Sequence, residues 1–149
     1  MTQFSWTGSW WAWALASAVF AALTAIFGKV GVQDISSDLA TFIRTVVILL
    51  VIGLLVAATG QLRGSGAITP RSWIFLILSG LATGASWLCY YRALKLGEAA
   101  KVAPIDKLSV VLVALFGVAF LGERLALRNW IGVAMIALGA LLIAVRAPG

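Results

Sequence analysis

The sequence predicts an all-α integral membrane protein with five transmembrane helices, and three observations predict it. Hydrophobic residues fill 62% of the 149 positions and charged residues only 11%, whereas a water-soluble domain carries about a quarter charged residues. Mean hydropathy is +1.07. Apolar runs close to the length of a bilayer crossing, about 20 residues at about 1.5 Å each, recur along the whole chain. The polar material is too scarce to cover a globule in water. Residues 1–149 are expected to form a single membrane domain embedded in the lipid bilayer.

Helix 1 is expected over about residues 10–27, "WWAWALASAVFAALTAIF". No Lys or Arg precedes this run and no cleavage-like site follows it, so it reads as a span that stays in the mature protein. Helix 2 covers about residues 39–58, "LATFIRTVVILLVIGLLVAA", and helix 3 about residues 72–94. Helix 4 covers about residues 99–121 and helix 5 about residues 130–145. The fifth is the shortest, and Arg128 and Arg146 can snorkel outward from its ends. The connections "GVQDISSD", "GQLRGSGAITPR", "LGE" and "GERLALRN" carry the expected helix breakers. Gly97 can close helix 3, and Glu98 suits the positive start of helix 4.

Several chemistries are disfavoured at once. The chain has no histidine and one cysteine, Cys89, inside an apolar run, so neither a thiolate metal site nor Ser-His catalysis has its parts. Net charge is +6, but the basic residues punctuate apolar runs instead of forming a patch, which speaks against nucleic acid. "GQLRGSG" lacks the Gly-Lys-Ser/Thr ending of a phosphate loop and reads as a linker. No cofactor is implied.

Five spans place the termini on opposite faces. Loops on the N-terminal face, side A, hold Arg63, Arg71, Arg124 and Arg128; side B holds Lys29, Arg92, Lys95, Lys101 and Arg146. Orientation follows Lys/Arg asymmetry, and here the two sides differ by one residue. Such a chain can insert both ways and pair with an inverted copy of itself; dominance of one end or one loop would give a single orientation. Trp6, Trp10, Trp11, Trp13, Trp73 and Trp130 gather near side A, but aromatic belts form at either interface.

From "WLCYYRALKLGEAAKVAPIDKLSVVLVALFGVAFLGERL" through "NWIGVAMIALGALLIA" the chain resembles a half-length EamA-type member of the drug/metabolite transporter superfamily, in the small five-helix bacterial and archaeal group. The resemblance rests on Tyr91-Arg92-Ala93-Leu94, the "KLGEA" link, Pro104 within helix 4, "LGERL" at Gly122-Glu123, and Gly132 and Gly139 in helix 5. It covers essentially the whole chain. Larger relatives hold two such units in opposite orientation, making an inverted-repeat ten-helix transporter. A chain with one unit therefore implies an antiparallel homodimer in the inner membrane, with its site near the midplane where the repeats meet.

Charges inside the spans are the sharpest functional signal. Arg44 lies roughly 8 Å into helix 2 from side B, and Asp106 and Lys107 lie roughly 10–12 Å into helix 4 from the same side. A charge at the bilayer centre costs about 2.5–3.5 kcal/mol, so such residues face a bundle interior or a watery cavity. Asp106 and Lys107 point about 100° apart on an ideal helix, which makes Arg44 the expected partner of Asp106. A cluster of net charge about +1 favours an anionic or zwitterionic solute. Ser109, Trp87 and Tyr90 are the weaker candidates nearby, and Tyr91 can also line a path. Helix 4 could instead begin at Pro104, a good first-turn residue, leaving both charges at the interface. Spacing leaves the two starts open; the resemblance favours the earlier one, with Pro104 then loosening the turn around Ala100. Arg44 likewise could snorkel to side B.

Gly80 and Gly84 have the small-residue spacing of close helix packing, expected within the protomer, with the dimer contact as the alternative. The small residues of helix 5 are the first candidate for the dimer contact. Glu123 is expected at the side-A interface, outside the transport path. The expected function is alternating-access transport of a small solute. The rival is a non-transporting accessory or flippase-type subunit that binds another membrane protein. An intramembrane enzyme is remote, because Ser109 has only Lys107 as a base, poorly placed on the same helix.

Overall fold

The computed structural model describes residues 9–61 and 68–144. Trp6, Arg63, Arg146 and most of the "GQLRGSG" linker lie outside them. Among the described residues six complete helical segments follow in order: α1 Trp10–Gly31, α2 Ser37–Ala58, α3 Pro70–Leu96, α4 Ala99–Asp106, α5 Ser109–Leu121 and α6 Leu127–Ala144. With α4 and α5 taken together as Ala99–Leu121, the described residues contain five stretches long and apolar enough to cross a membrane. The all-α, five-span reading holds. The chain divides after Lys95 into two compact units, which are described in turn.

In the first unit several helix ends run past the apolar runs that announced them, because polar groups that hydropathy ignores satisfy their backbone. α1 continues past Phe27 to Gly31, taking Lys29 into its last turn. Lys29 Nζ donates to Leu94 O at 2.7 Å, satisfying one of the carbonyls a helix end leaves without a partner. α2 starts at Ser37 because Ser36 caps it, accepting from the Leu39 N–H at 3.2 Å. Asp38 in its first turn suits the positive end of the helix dipole. α3 starts at Pro70, whose missing N–H is no loss in a first turn. Thr69 Oγ1 accepts from the Ser72 N–H at 3.2 Å. Lys95 Nζ bonds Ile35 O in the α1–α2 loop, and Arg92 reaches Asp38 at 3.5 Å. Both residues of that last pair are largely exposed, so it adds at most about 1 kcal/mol.

The core of this unit is small. Leu94 and Val32 are its fully buried large side chains, joined by Ala25, Ala40 and Tyr91. Gly28 permits it: a Cβ there would lie 3.1 Å from Tyr91 Oη and 3.2 Å from Tyr91 Cζ. Along α1, α2 and α3 large apolar side chains such as Phe20, Leu49 and Leu76 stand exposed, as faces for lipid or another chain do. Gly80 and Gly84 are exposed too, and a Cβ at either meets nothing. The expected packing role within the protomer is therefore not what this unit uses them for; the faces in contact are those carrying Gly28 and Tyr91.

In the second unit the fourth span begins at Ala99, capped by Glu98, whose carboxylate turns to Lys101 Nζ at 3.1 Å. Gly97 follows the end of α3 without a left-handed conformation. Pro104 stays inside regular helix, and the departure from it lies at Lys107–Leu108 rather than around Ala100. There the amides shorten their reach: Lys107 N–H is shared between Ala103 O at 3.3 Å and Pro104 O at 3.1 Å, and Leu108 N–H donates to Ile105 O at 2.9 Å. The helix restarts at Ser109. α6 packs on both α4 and α5.

α5 ends at Gly122, which takes the left-handed conformation at φ 68° and turns the chain so that Glu123 N–H donates to Gly117 O at 3.1 Å. Glu123 lies folded back on α5, its Oε2 only 2.6 Å from where a Gly117 Cβ would be. Gly122→Ala is expected to lower stability by about 1 kcal/mol, the cost of left-handed backbone for a residue with a Cβ. Thermal unfolding in detergent measures it; an unchanged midpoint would mean that the turn is not held in this form.

Candidate functional site

Arg44 is placed by the α2 register. It lies seven residues after the first residue of the helix, about 10 Å along its axis. Its guanidinium carbon sits 3.2 Å from the centroid of the Trp87 ring and 5.8 Å from that of Tyr91. Trp87 and Tyr91 are one turn apart on α3, which puts both rings on one helix face. Tyr90 joins them: its ring meets Trp87 edge-on, with centroids 5.5 Å apart. Arg44, partly buried, thus stacks on these rings instead of extending along its helix. A guanidinium over an aromatic face is worth about 0.5–2 kcal/mol, the upper value where water is excluded.

Beside this stack lies a cleft of about 330 Å³ whose lining includes Thr24, Phe27 and Gly28 of α1, Ile43 and Arg44 of α2, and Tyr91 of α3. The α1 residues share one face by their three- and four-residue spacing. Gly28, having no side chain, lets the Tyr91 ring lie against α1 at one end of the cleft. Among the described residues no carboxylate pairs with Arg44. One face of its guanidinium is covered by indole and its N–H edge is left for hydrogen bonding, the arrangement that recognises a planar anion.

Asp106 and Lys107 sit in the second unit, at the interruption of the fourth span. They pair with each other, Lys107 Nζ to Asp106 Oδ2 at 3.3 Å. The expectation that their 100° separation keeps these neighbours from easily neutralising one another, leaving Asp106 to Arg44, does not hold for this pair. It assumed a continuous helix, whereas the helix stops at Asp106 and the long Lys107 side chain bends back from the turn. Both remain partly exposed, at 55% and 36% of the side chain for Lys107 and Asp106. Backbone departing from helix at membrane depth is tolerated where it borders protein or water, and interrupted spans of this kind form ion and solute sites. Ser109 is the first residue of α5 and is exposed.

Of the residues named from sequence, Arg44, Trp87 and Tyr90 are therefore gathered in the first unit, and Asp106, Lys107 and Ser109 lie together at the break in the second. Pro104 is one turn before that break; Gly97, Gly122 and Glu123 belong to helix ends. The α1 wall of the cleft was not foreseen. Its signal was present in "TAIFGKVG", where Thr24, Gly28 and Gly31 lie at helical spacing in an otherwise bulky run. Among the described residues there is no group of three or more His, Cys, Asp or Glu side chains able to hold a metal ion.

Comparison with known proteins is consistent across nearly the full chain. The model of the EamA-like transporter family matches residues 8–145. An uncharacterized transporter in the cobO 3′ region of Sinorhizobium sp. is 69% identical over 137 residues, which cover 92% of this chain and 97% of that protein. No solved structure matches.

Proposed function

Since the chain belongs to the EamA-like transporter family and is a multi-pass inner-membrane transporter of small molecules, we propose that it carries an anionic or zwitterionic solute by alternating access. It works as an antiparallel homodimer of one five-helix domain. Arg44, Trp87 and Tyr90 in the first unit bind the solute, and Asp106, Lys107 and Ser109 in the second serve the same passage.

The observation that carries this reading is Arg44 itself. An ionised side chain in the middle of an apolar helix is unfavourable against lipid by several kcal/mol, and it is kept here on the wall of a cleft with no carboxylate beside it. Support for the inverted pair is separate. The Lys/Arg tally of the two faces is nearly even, and the family model matches residues 8–145, a stretch with five spans. Alternating access needs two opposed units around the site, so a second copy must supply the other.

Proteoliposomes loaded with a panel of small organic anions and zwitterions, assayed by counterflow, test the reading. Flux of at least one solute is expected from the intact protein. Lys107→Ala is expected to lower it at least tenfold while the dimer survives cross-linking. Unchanged flux would remove Lys107 from the mechanism. Absence of flux with every solute, together with stable co-purification with another membrane protein, would favour an accessory subunit instead.

A further inference from the structure

We infer that the Arg44 cleft takes an organic carboxylate with an apolar body, and that Tyr91 supplies the second hydrogen-bond donor beside Arg44. The inference deepens the transport reading and rests on it.

Tyr91 is only 5% exposed, yet among the described residues its hydroxyl makes no hydrogen bond to protein. No buried side-chain nitrogen or oxygen of the described residues lacks a partner, so this oxygen keeps surface open to a ligand or to water. This hydroxyl stands at the wall of the cleft, held there by the close approach of Gly28, and its ring is 5.8 Å from the Arg44 guanidinium carbon. Two donors on different helices, one charged and one neutral, thus border the same space and find no acceptor among the described residues. A carboxylate offers two oxygens with about four lone-pair sites in one plane. It can accept from the Arg44 edge and from Tyr91 Oη together.

Charge and lining narrow the class further. The cleft contains one cation and no acidic side chain. A monoanion balances it, whereas a dianionic phosphate would leave an excess charge in surroundings of low dielectric. A zwitterion would bring an ammonium group beside Arg44 with no carboxylate to receive it, and unpaired charge at such depth is costly. The remaining lining is mostly apolar, including Phe27, Ile35, Ala40 and Ile43, and suits an aliphatic or aromatic body. The volume of about 330 Å³ lies at the small end for ligand pockets.

Binding to the purified full-length protein in lipid nanodiscs, measured by calorimetry, separates these classes. The probes are straight and branched carboxylates of four to eight carbons, the matching primary amides and amines, and leucine. At least one carboxylate is expected to bind saturably and at least tenfold tighter than leucine, its own amide or its own amine. The amide controls for partition into lipid. Tyr91→Phe keeps the ring against Gly28, so the ligand-free protein should melt unchanged while carboxylate affinity falls about tenfold or more, as loss of a hydrogen bond to a charged group predicts. Arg44→Lys should weaken binding as well, because a point charge cannot reproduce the planar fork. Leucine or an amine binding as tightly as every carboxylate would overturn the ligand class, and equal affinity in Tyr91→Phe would overturn the role of Tyr91. Arg44-dependent flux of a zwitterion without carboxylate binding would sink this inference and leave the transport reading standing. No binding and no flux of any probe would sink both.

Discussion

Arg44→Gln is expected to lower solute flux in proteoliposomes by about 25-fold or more without lowering the stability of the protein. Loss of one member of a desolvated, hydrogen-bonded charge pair costs about 2–5 kcal/mol of binding, and about 1.4 kcal/mol is a factor of ten. The stability side has two opposing contributions. Stacking of Arg44 on Trp87, with 3.2 Å between guanidinium carbon and ring centroid, is worth about 0.5–2 kcal/mol and is lost. Removing an ionised group from membrane depth returns about 2.5–3.5 kcal/mol, and the second is larger. Flux should collapse while the thermal midpoint stays level or rises. Flux within a few fold of the parent would show that Arg44 only fills space beneath Trp87.

Gly28→Leu is expected to do the opposite, destabilising the first unit enough to lower the yield of folded protein sharply. A Cβ alone would lie 3.1 Å from Tyr91 Oη, tighter than comfortable contact, and would already touch Leu94 Cδ1 at 3.5 Å. The further carbons of leucine would enter the space of Leu94, which is fully buried. Overpacking costs about 1–3 kcal/mol and sometimes more. Here the only relief is to separate α1 from α3, which also dismantles the cleft. Gly53→Leu is the matched control, since a Cβ there meets nothing. It should be neutral or slightly stabilising, because leucine favours helix over glycine by about 1 kcal/mol. Thermal unfolding and protease resistance of the two variants, side by side, decide the matter. Equal stability would mean that α1 and α3 are not packed through Gly28.

The architecture was legible because bilayer length acts on whole segments: each span needs its apolar run, and each run is plain in the sequence. Helix ends were less legible. α1 extends over Lys29 and α2 begins at Ser37 because side-chain hydrogen bonds, to Leu94 O and from the Leu39 amide, replace the missing backbone partners. Those contacts are separated by long stretches of chain or depend on cap geometry, and hydropathy carries neither. The fourth span shows the limit most clearly. An unbroken helix sets Asp106 and Lys107 about 100° apart, whereas the turn at Lys107–Leu108 lets them pair. Pro104 signalled an irregularity but not its position, which lies seven residues beyond Ala100, where the ring clash falls. Arg44 was readable as a misplaced charge. Its stacking on Trp87 was not, since no spacing rule links residue 44 to residue 87. Tyr91 was readable only as an aromatic, because its unpaired hydroxyl becomes evident only when Gly28 is seen against its ring.

The proposed mechanism requires copies of this chain threaded through the bilayer in both directions, and labelling from either side of the membrane tests that directly. Asp34→Cys places a thiol in the exposed α1–α2 loop, and Cys89→Ser removes the native one. A membrane-impermeant maleimide applied to right-side-out and to inverted vesicles should modify comparable fractions of the protein. Modification from one side alone would contradict the inverted pair and, with it, the route proposed for the solute.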